Sequence, residues 1–232
     1  MDSRFKPYER RPGGRVVGTY YELWSPKTER RVRLDSGLEF HLFLMVEANW
    51  EISCFCEHPC IMDTDRSRQP RRVGSIPDMW IRYRDAYEEI VEAKYSTAFS
   101  FEPDGSYKNP QLRIQKAWCE AHGIGHRVAT ELQIRKFPDL LKNWEQMVNF
   151  VSTSKFDVKL GDQVLAFLAA KGRKTSSDLR CLSGRERIEQ TVFHLLHQGK
   201  LAAEMRTELI SSETQLWIPD EPHRFQHPAS RD

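Results

Sequence analysis

Two carboxylates and an ammonium near the middle of the chain have the types and spacing that suit metal-dependent chemistry on phosphate. Asp78 follows Ile76-Pro77, and Glu92-Ala93-Lys94 lies a short distance downstream. Side chains alternate along a strand, so Glu92 and Lys94 point to one face. Carboxylate oxygens are the ligands that Mg²⁺ takes, and a lysine beside them could position water or neutralise the phosphate.

The segments that carry these residues predict a β-hairpin. Both runs, 79–83 and 90–95, are short, apolar and β-rich, with a polar turn between them. Asp78 lies opposite Glu92 only if the two residue numbers of every cross-strand pair add up to 170. This register requires a loop with an odd number of residues, or a bulge. A tight even loop would put Asp78 opposite Ala93. Bulges are common beside active sites, so we predict the first register. The alternative is an exposed strand with an ordinary Glu-Lys pair.

Glu39 has two interpretations that the sequence leaves open. Ser36-x-x-Glu39 has the pattern of a capping box at the start of a helix whose apolar stripe is Leu38, Leu42 and Met45. Glu39 also lies toward the inward side of that helix, where it could supply a third carboxylate to the hairpin.

Length and charge limit the classes of protein. The chain has 232 residues, enough for one large or two small domains, with 39% hydrophobic residues and a net charge of +2. Arginines crowd the N-terminus and the loop 63–73. This pattern suits binding to a polyanion such as DNA; the alternative is a solvated tail.

No membrane span or apolar signal region is expected. An odd number of cysteines, 5, fits a reducing compartment.

A cysteine-rich stretch offers a possible zinc site. The segment 52–62 predicts one strand with Cys54, Cys56, His58 and Cys60 along a face. Four such ligands suit zinc, but ligands spaced along an extended strand cannot surround one ion, and cysteine is a common buried residue. We therefore predict that no zinc is bound.

A second helix begins at Asn109-Pro110 and ends at Gly123. Its other faces could contact DNA phosphates, together with the arginine-rich loop, although ordinary solvation is the alternative. A strand is predicted from His126 to Ile134. The predicted apolar face of the helix is Ile114, Ala117, Trp118 and Ala121, and the predicted DNA contacts are Arg113, Gln115, Lys116, Arg71 and Arg72.

The chain beyond a predicted linker at 152–154 has three helices followed by a small hairpin, which is typical of a winged helix. Polar residues on its third helix could enter a DNA groove, or the unit could dock another protein; these residues are Arg185, Arg187, Gln190 and His194. The predicted organisation is a basic arm with a short strand (1–34), a nuclease domain (35–151), a winged-helix-like all-α domain (155–218) and a disordered tail (219–232).

The element order of the first domain is helix, three strands, helix and strand, an α/β (α+β) arrangement that matches the PD-(D/E)xK restriction-endonuclease-like core. Over roughly residues 15 to 150 the chain also resembles the TnsA endonuclease of heteromeric cut-and-paste transposons. The motifs that carry this resemblance are Thr19-Tyr20-Tyr21, Ser25-Pro26-Lys27-Thr28, Asp35-Ser36-Gly37-Leu38-Glu39, the strand at Ile52, Ile76-Pro77-Asp78 and Glu92-Ala93-Lys94.

The resemblance implies a set of site residues. Glu39, Asp78 and Glu92, with the backbone carbonyl of Ala93, would hold one or two Mg²⁺ ions, for which Mn²⁺ could substitute. Lys94 would be the catalytic lysine. Relatives often have glutamine where this chain has Glu92, and glutamate restores the more usual nuclease pattern.

The resemblance also implies a role. The chain would cleave the 5′ strands of double-stranded DNA at transposon ends, beside a TnsB-like transposase that processes the 3′ ends. A TnsC-like ATPase regulator would dock on the C-terminal part, and the protein would act in the bacterial cytoplasm, associated with the nucleoid. The alternatives are a stand-alone restriction or repair nuclease of the same fold and a nuclease-dead DNA-binding adaptor.

Overall fold

A computed structural model describes residues 5–8, 19–62 and 73–220 of a mixed α/β protein. Its chain divides into two compact units. The first unit comprises the residues up to Val46 and Glu51–Lys136, and the second comprises Glu47–Trp50 and the residues from Phe137 onward. Most of the predicted basic arm, the arginine-rich loop and nearly all of the predicted tail lie outside the described residues.

The elements before Phe137 are mostly strands. In chain order they are β1 (Tyr21–Ser25), β2 (Arg30–Leu34), α1 (Gly37–Ala48), β3 (Ile52–Glu57), β4 (Ile61–Met62), β5 (Val73–Ser75), β6 (Met79–Tyr83), β7 (Glu88–Lys94), a 3-10 turn (Ser96–Ala98), α2 (Pro110–His122), β8 (Gly125–Thr130) and α3 (Glu131–Ile134).

The central sheet of the first unit has the strand order β3-β6-β7-β8. Its first three strands pair antiparallel, whereas β7 and β8 are parallel and are connected through α2, as a parallel pair requires. The chain order α1, β3, β6, β7, α2, β8 confirms the predicted order of the principal elements. The arrangement is consistent with a nuclease fold.

The hairpin of β6 and β7 has the register that the sequence analysis required. Met79 pairs with Val91 and Arg82 pairs with Glu88, so paired numbers sum to 170. The loop between the strands has an odd number of residues, since Tyr83 and Tyr87 close it: the amide of Tyr83 donates to the carbonyl of Tyr87 over 2.8 Å. Ala86 takes the left-handed conformation (φ 68°), which is the usual last residue of a three-residue hairpin loop.

Helix α1 and the sheet form the core of this unit. The predicted stripe of Leu38, Leu42 and Met45 is buried. Trp80 on β6 and Ile90 on β7 are fully buried and belong to a cluster of apolar side chains that includes Trp118 of α2. The apolar faces of α2 and the hairpin therefore fix α2 beside β7.

Two predicted strands are shorter in the structure than in the sequence analysis. The single strand predicted for 52–62 is wrong: β3 ends at Glu57, and His58 has a left-handed backbone (φ 45°) that ends extended pairing. The strand predicted for 126–134 is also too long. Thr130 and Gln133 form a capping box, which begins the short helix α3.

The second unit is formed mainly by helices. Its elements are α4 (Pro138–Thr153), α5 (Val158–Lys171), β9 (Lys174–Thr175), a 3-10 turn (Asp178–Cys181), α6 (Arg185–His197), β10 (Ala202–Ala203) and β11 (Gln215–Trp217). The three strands form an antiparallel sheet of order β10-β11-β9.

The boundary between the units differs from the predicted linker. Residues 152 and 153 belong to the last turn of α4, and α4 groups with the second unit rather than with the first. Phe150 on α4 stacks on Phe193 of α6 with ring centroids 4.7 Å apart, so α4 shares a core with the helices that follow it. In the described residues no helix has the length and apolar character that crossing a bilayer would need.

Candidate active site

Asp78 and Glu92 lie together at the end of the β6–β7 hairpin. The amide of Asp78 donates to Oε2 of Glu92 over 3.2 Å, and Oδ2 of Asp78 accepts the Ala93 amide over 2.7 Å. These contacts are the consequence of the register that sums to 170. The hairpin therefore brings together the two carboxylates that the sequence analysis paired.

The carboxylate of Glu92 is buried, with 1% of the residue exposed, and four donors surround it. Oε1 accepts from Gln111 Nε2 at 3.0 Å and lies 2.7 Å from Lys94 Nζ, while Oε2 accepts from Gln115 Nε2 at 2.9 Å and from the Asp78 amide. An unpaired buried carboxylate is very unfavourable. These donors replace the water that Glu92 loses on folding.

Lys94 shares a strand face with Glu92, as their spacing predicts. Burial lowers the pKa of Lys94, but the hydrogen bond and charge of Glu92 outweigh this effect, with smaller contributions from Asp78 and Glu39, and the pKa is raised above its ordinary value. The side chain is therefore an ammonium at neutral pH, able to neutralise charge on a phosphate.

Asp78 lies in an environment that disfavours its charge. Burial raises the pKa of Asp78 well above its usual value, and the carboxylates of Glu92 and Glu39 raise it further. A divalent cation would compensate this clustered negative charge, and oxygen ligands are what Mg²⁺ requires. The donor set therefore fits such an ion. The carbonyl of Ala93 faces the same strand edge as its amide, which points at Asp78.

The carboxylate of Glu39 contacts His58 and the amide of Asp35, rather than the predicted Ser36 amide. Its Oε2 lies 3.0 Å from Nε2 of His58 and accepts the amide of Asp35 at 2.9 Å, while Oε1 accepts from Ser36. Side chains of Asp35, Glu39 and His58 each bring one ligand atom within 4.8 Å of the others. The capping interaction is thus present, although Glu39 bonds the Asp35 amide rather than that of Ser36.

The surroundings of His58 favour an ion pair with Glu39. Burial lowers the pKa of His58, but Glu39 and Asp35 raise it overall; burial likewise raises the pKa of Glu39, but His58 and the Asp35 amide lower it overall. The negative charge of Glu39 nevertheless acts on Asp78 and Lys94, because it raises the pKa of both. Glu39 lies beside the site, with its carboxylate engaged by His58.

One of the predicted DNA contacts is corrected by the structure. Gln115 is fully buried and bonds Glu92, so it does not present its amide to DNA. Arg113 and Lys116 are exposed on α2, with Lys116 4.0 Å from Glu120. The remaining two predicted contacts, Arg71 and Arg72, lie outside the described residues.

Three residues have contacts that the sequence did not predict. Gln111 donates to Glu92, His58 contacts Glu39, and Nε2 of His126 lies 3.1 Å from Oε1 of Gln115. The pair Gln111 and Gln115 has the spacing of one helical turn, and the Asn109 cap sets where that turn begins. The spacing is visible in the sequence, but the sequence prediction places only Gln115, on a face that could contact DNA, and assigns no role to Gln111. Nothing local to His58 indicates that its backbone turns it toward Glu39.

The cysteines do not join this site. Cys54 and Cys56 are buried in the core, and burial raises the pKa of Cys56 to about 12. His58 contacts Glu39, and its bonded partner is therefore a carboxylate rather than a thiol.

Comparison with known proteins finds a family that matches the segment carrying the hairpin. Residues 51–131 match a family model described as TnsA-like endonuclease N terminal. No curated protein matches the chain. The matched segment contains Asp78, Glu92 and Lys94 together with both glutamines of α2. The match covers about a third of the chain, and it supports a TnsA-type endonuclease.

Proposed function

We propose that the protein is the metal-dependent DNA endonuclease subunit of a heteromeric transposase, which cleaves the 5′ strands of double-stranded DNA at transposon ends. The observation that carries this proposal is the grouping of Asp78, Glu92 and Lys94 at one end of a hairpin, with the charge of Glu39 acting on them. The family of the domain supports a nuclease of the transposase type.

The roles of the residues follow from their chemistry. Asp78, Glu92, Glu39 and the carbonyl of Ala93 would hold Mg²⁺, with Mn²⁺ as a substitute and either one or two ions. Bound there, the ion would activate water and neutralise charge on the phosphate. Glu39 would hold the ion with a carboxylate whose Oε2 lies 3.0 Å from the imidazole of His58 and whose Oε1 accepts from Ser36. Lys94 would stabilise the charge that builds on the phosphate during attack.

The second unit is proposed to be a winged-helix domain that docks a TnsC-like ATPase regulator. Support comes from the order α5, β9, 3-10 turn, α6, β10, β11, and from the small sheet in which β9 joins the hairpin of β10 and β11. Of the polar residues proposed to enter DNA, His194 is buried, whereas Arg185 and Arg187 are largely exposed in ion pairs with Glu189 and Asp157. Groove contact by these two arginines is therefore the alternative to docking.

The remaining partners belong to the same proposal. A TnsB-like transposase would process the 3′ ends, and exposed residues of α2, Arg113 and Lys116, would contact DNA phosphates near the site. The protein would act in the bacterial cytoplasm on nucleoid DNA.

The test is strand-specific cleavage. The substrate is a supercoiled plasmid that carries the ends of the proposed transposon. It is incubated with the chain, the partner transposase and Mg²⁺, and breaks in the 5′ and 3′ strands are mapped separately. We expect 5′ breaks that need the transposase, disappear with a chelator and are lost in Asp78→Asn, while 3′ breaks continue.

Two other results would identify the alternatives. Cleavage by the chain alone, at its own sequence or structure, would indicate a stand-alone restriction or repair nuclease. DNA binding and complex assembly without any 5′ break, with either Mg²⁺ or Mn²⁺, would indicate a nuclease-dead adaptor.

A further inference from the structure

We propose that Gln115 and Gln111 of α2 are positioning residues for Glu92, and that His126 sets the orientation of the Gln115 amide. The inference deepens the proposed function and rests on it, because it concerns how the chain prepares Glu92 as a metal ligand. It arises from one chain of hydrogen bonds within the first unit: His126 to Gln115 to Glu92.

The direction of each bond in this chain can be deduced. An ionised carboxylate only accepts hydrogen bonds, so the amide nitrogen of Gln115 must face Glu92 at 2.9 Å. The amide oxygen then faces Nε2 of His126 at 3.1 Å, and His126 must carry its proton on that nitrogen. If the amide rotated by half a turn, its oxygen would face the carboxylate and both would repel.

Burial leaves this amide no other way to satisfy its polar atoms. Gln115 is 0% exposed, and its nitrogen also donates to Oγ of Ser75 at 3.1 Å. Its two amide protons and its oxygen therefore all have partners, and each partner comes from a different strand: β5, β7 and β8. Such an amide has one allowed orientation, which makes it a rigid donor to Glu92.

Gln111 holds the other oxygen of the same carboxylate. It lies one turn earlier on α2 and donates to Oε1 of Glu92 at 3.0 Å. The two glutamines thus fix both oxygens, and with them the plane of the carboxylate beside Asp78. Outer residues that orient a ligand in this way typically change metal affinity by about 10–100-fold when they are removed.

The experiment measures metal binding rather than cleavage. The full chain is titrated with Mn²⁺, and free Mn²⁺ is followed by electron paramagnetic resonance at pH 7.5. We expect Gln115→Leu to weaken Mn²⁺ binding by about 10–100-fold. Gln111→Leu should weaken it less, because Gln111 is only partly buried and water can replace its donor to Oε1 of Glu92.

Two further variants separate positioning from general loss of stability. His126→Phe keeps a ring that can pack on Tyr107, whose ring centroid lies 5.8 Å from that of His126, but removes the proton donated to Gln115. We expect it to weaken Mn²⁺ binding in the same direction as Gln115→Leu. Asn143→Leu is the matched control: Asn143 is also a fully buried amide with three hydrogen bonds, all within the second unit. It should lower the melting temperature and leave Mn²⁺ affinity unchanged.

The outcomes distinguish this proposal from the proposed function. If the folded His126→Phe and Gln115→Leu chains bind Mn²⁺ as tightly as the wild type, or more tightly, the positioning role is wrong and the metal site stands. The same holds if Asn143→Leu weakens Mn²⁺ binding as much as they do. If the wild-type chain binds no Mn²⁺, and Asp78→Asn changes nothing, both proposals are overturned. Should Gln115→Leu not fold, His126→Phe and Gln111→Leu decide the question.

Discussion

Nζ of Lys94 lies 2.7 Å from Oε1 of Glu92, two residues earlier on the same strand. The pair joins the proposed catalytic ammonium directly to a proposed metal ligand. Strand alternation puts both side chains on one face of β7. The ion pair then holds the flexible lysine side chain against Glu92, so the position of the ammonium depends on this contact as well as on the backbone.

Lys94→Met is expected to stop 5′-strand cleavage while Mg²⁺ binding remains. Metal affinity comes from carboxylates, and a nearby ammonium weakens it by repulsion, whereas the ammonium stabilises charge that builds in the transition state. Loss of one such group costs about 10²–10³ in rate. Joining at the 3′ ends should continue, so products should shift from simple insertions to cointegrates. Sequencing both junctions measures this; simple insertions at wild-type frequency would exclude Lys94 as the catalytic lysine.

Asp78→Asn is expected to abolish cleavage without lowering stability in the absence of metal. The clustered carboxylates repel one another, and asparagine keeps an acceptor for the Ala93 amide. Thermal melting without metal should be unchanged or slightly raised. Mg²⁺ should raise the melting temperature of the wild type, since a ligand that binds only the folded state stabilises it, and should do so less for the variant. A large drop in melting temperature with cleavage retained would make Asp78 a structural residue.

Acid should destabilise the wild type more than His126→Phe. Burial lowers the pKa of His126 from 6.5 to about 4. Between these values the unfolded chain binds more protons than the folded chain, so the free energy of unfolding falls as the pH is lowered through this window. The contribution is about 3 kcal/mol at most. Urea unfolding at pH 7, 5.5 and 4.5 compares the two proteins, and parallel pH dependences would contradict the prediction.

A truncation placed before Phe137 is expected to separate the two units better than one placed after residue 154. A chain ended at residue 154 keeps α4 but lacks α6, on which Phe150 stacks, so apolar side chains of α4 become exposed. We expect this variant to bind a hydrophobic dye and to melt at a lower temperature than the full chain. It should also lose binding to the ATPase regulator. Full-strength binding by the truncated chain would refute docking through the second unit.

Purified protein is expected to contain no stoichiometric zinc. Zinc takes thiolate ligands, and burial holds Cys56 as a thiol by raising its pKa to about 12. His58 is engaged by Glu39 instead. Elemental analysis tests this, and one zinc per chain would contradict it.

Local rules determined much of the hairpin. Alternation put Glu92 and Lys94 on one face, and the odd loop that the Asp78–Glu92 pairing requires is present, with Ala86 in the left-handed conformation. Capping rules correctly predicted both ends of α2, at Asn109 and Gly123. These features depend on neighbours within a few residues, which the sequence displays directly.

Tertiary structure decided which face of α2 is buried. The apolar residues predicted to point inward include Ala117 and Ala121, yet both are exposed, while Gln115 is fully buried. Hydrophobicity alone assigns a glutamine to solvent. Here the buried carboxylate of Glu92 needs donors, and α2 supplies them from the next element of the chain.

The need of a buried carboxylate for hydrogen-bond donors also explains the contacts of Glu39. Its sequence pattern allows either a cap or a metal ligand, and the structure bonds it to His58, a residue made available by a left-handed backbone at the end of β3. The types and spacing of the charged residues were determined by the sequence. Which buried charge is compensated by which donor depends on residues far apart in the chain, and only folding brings those residues together.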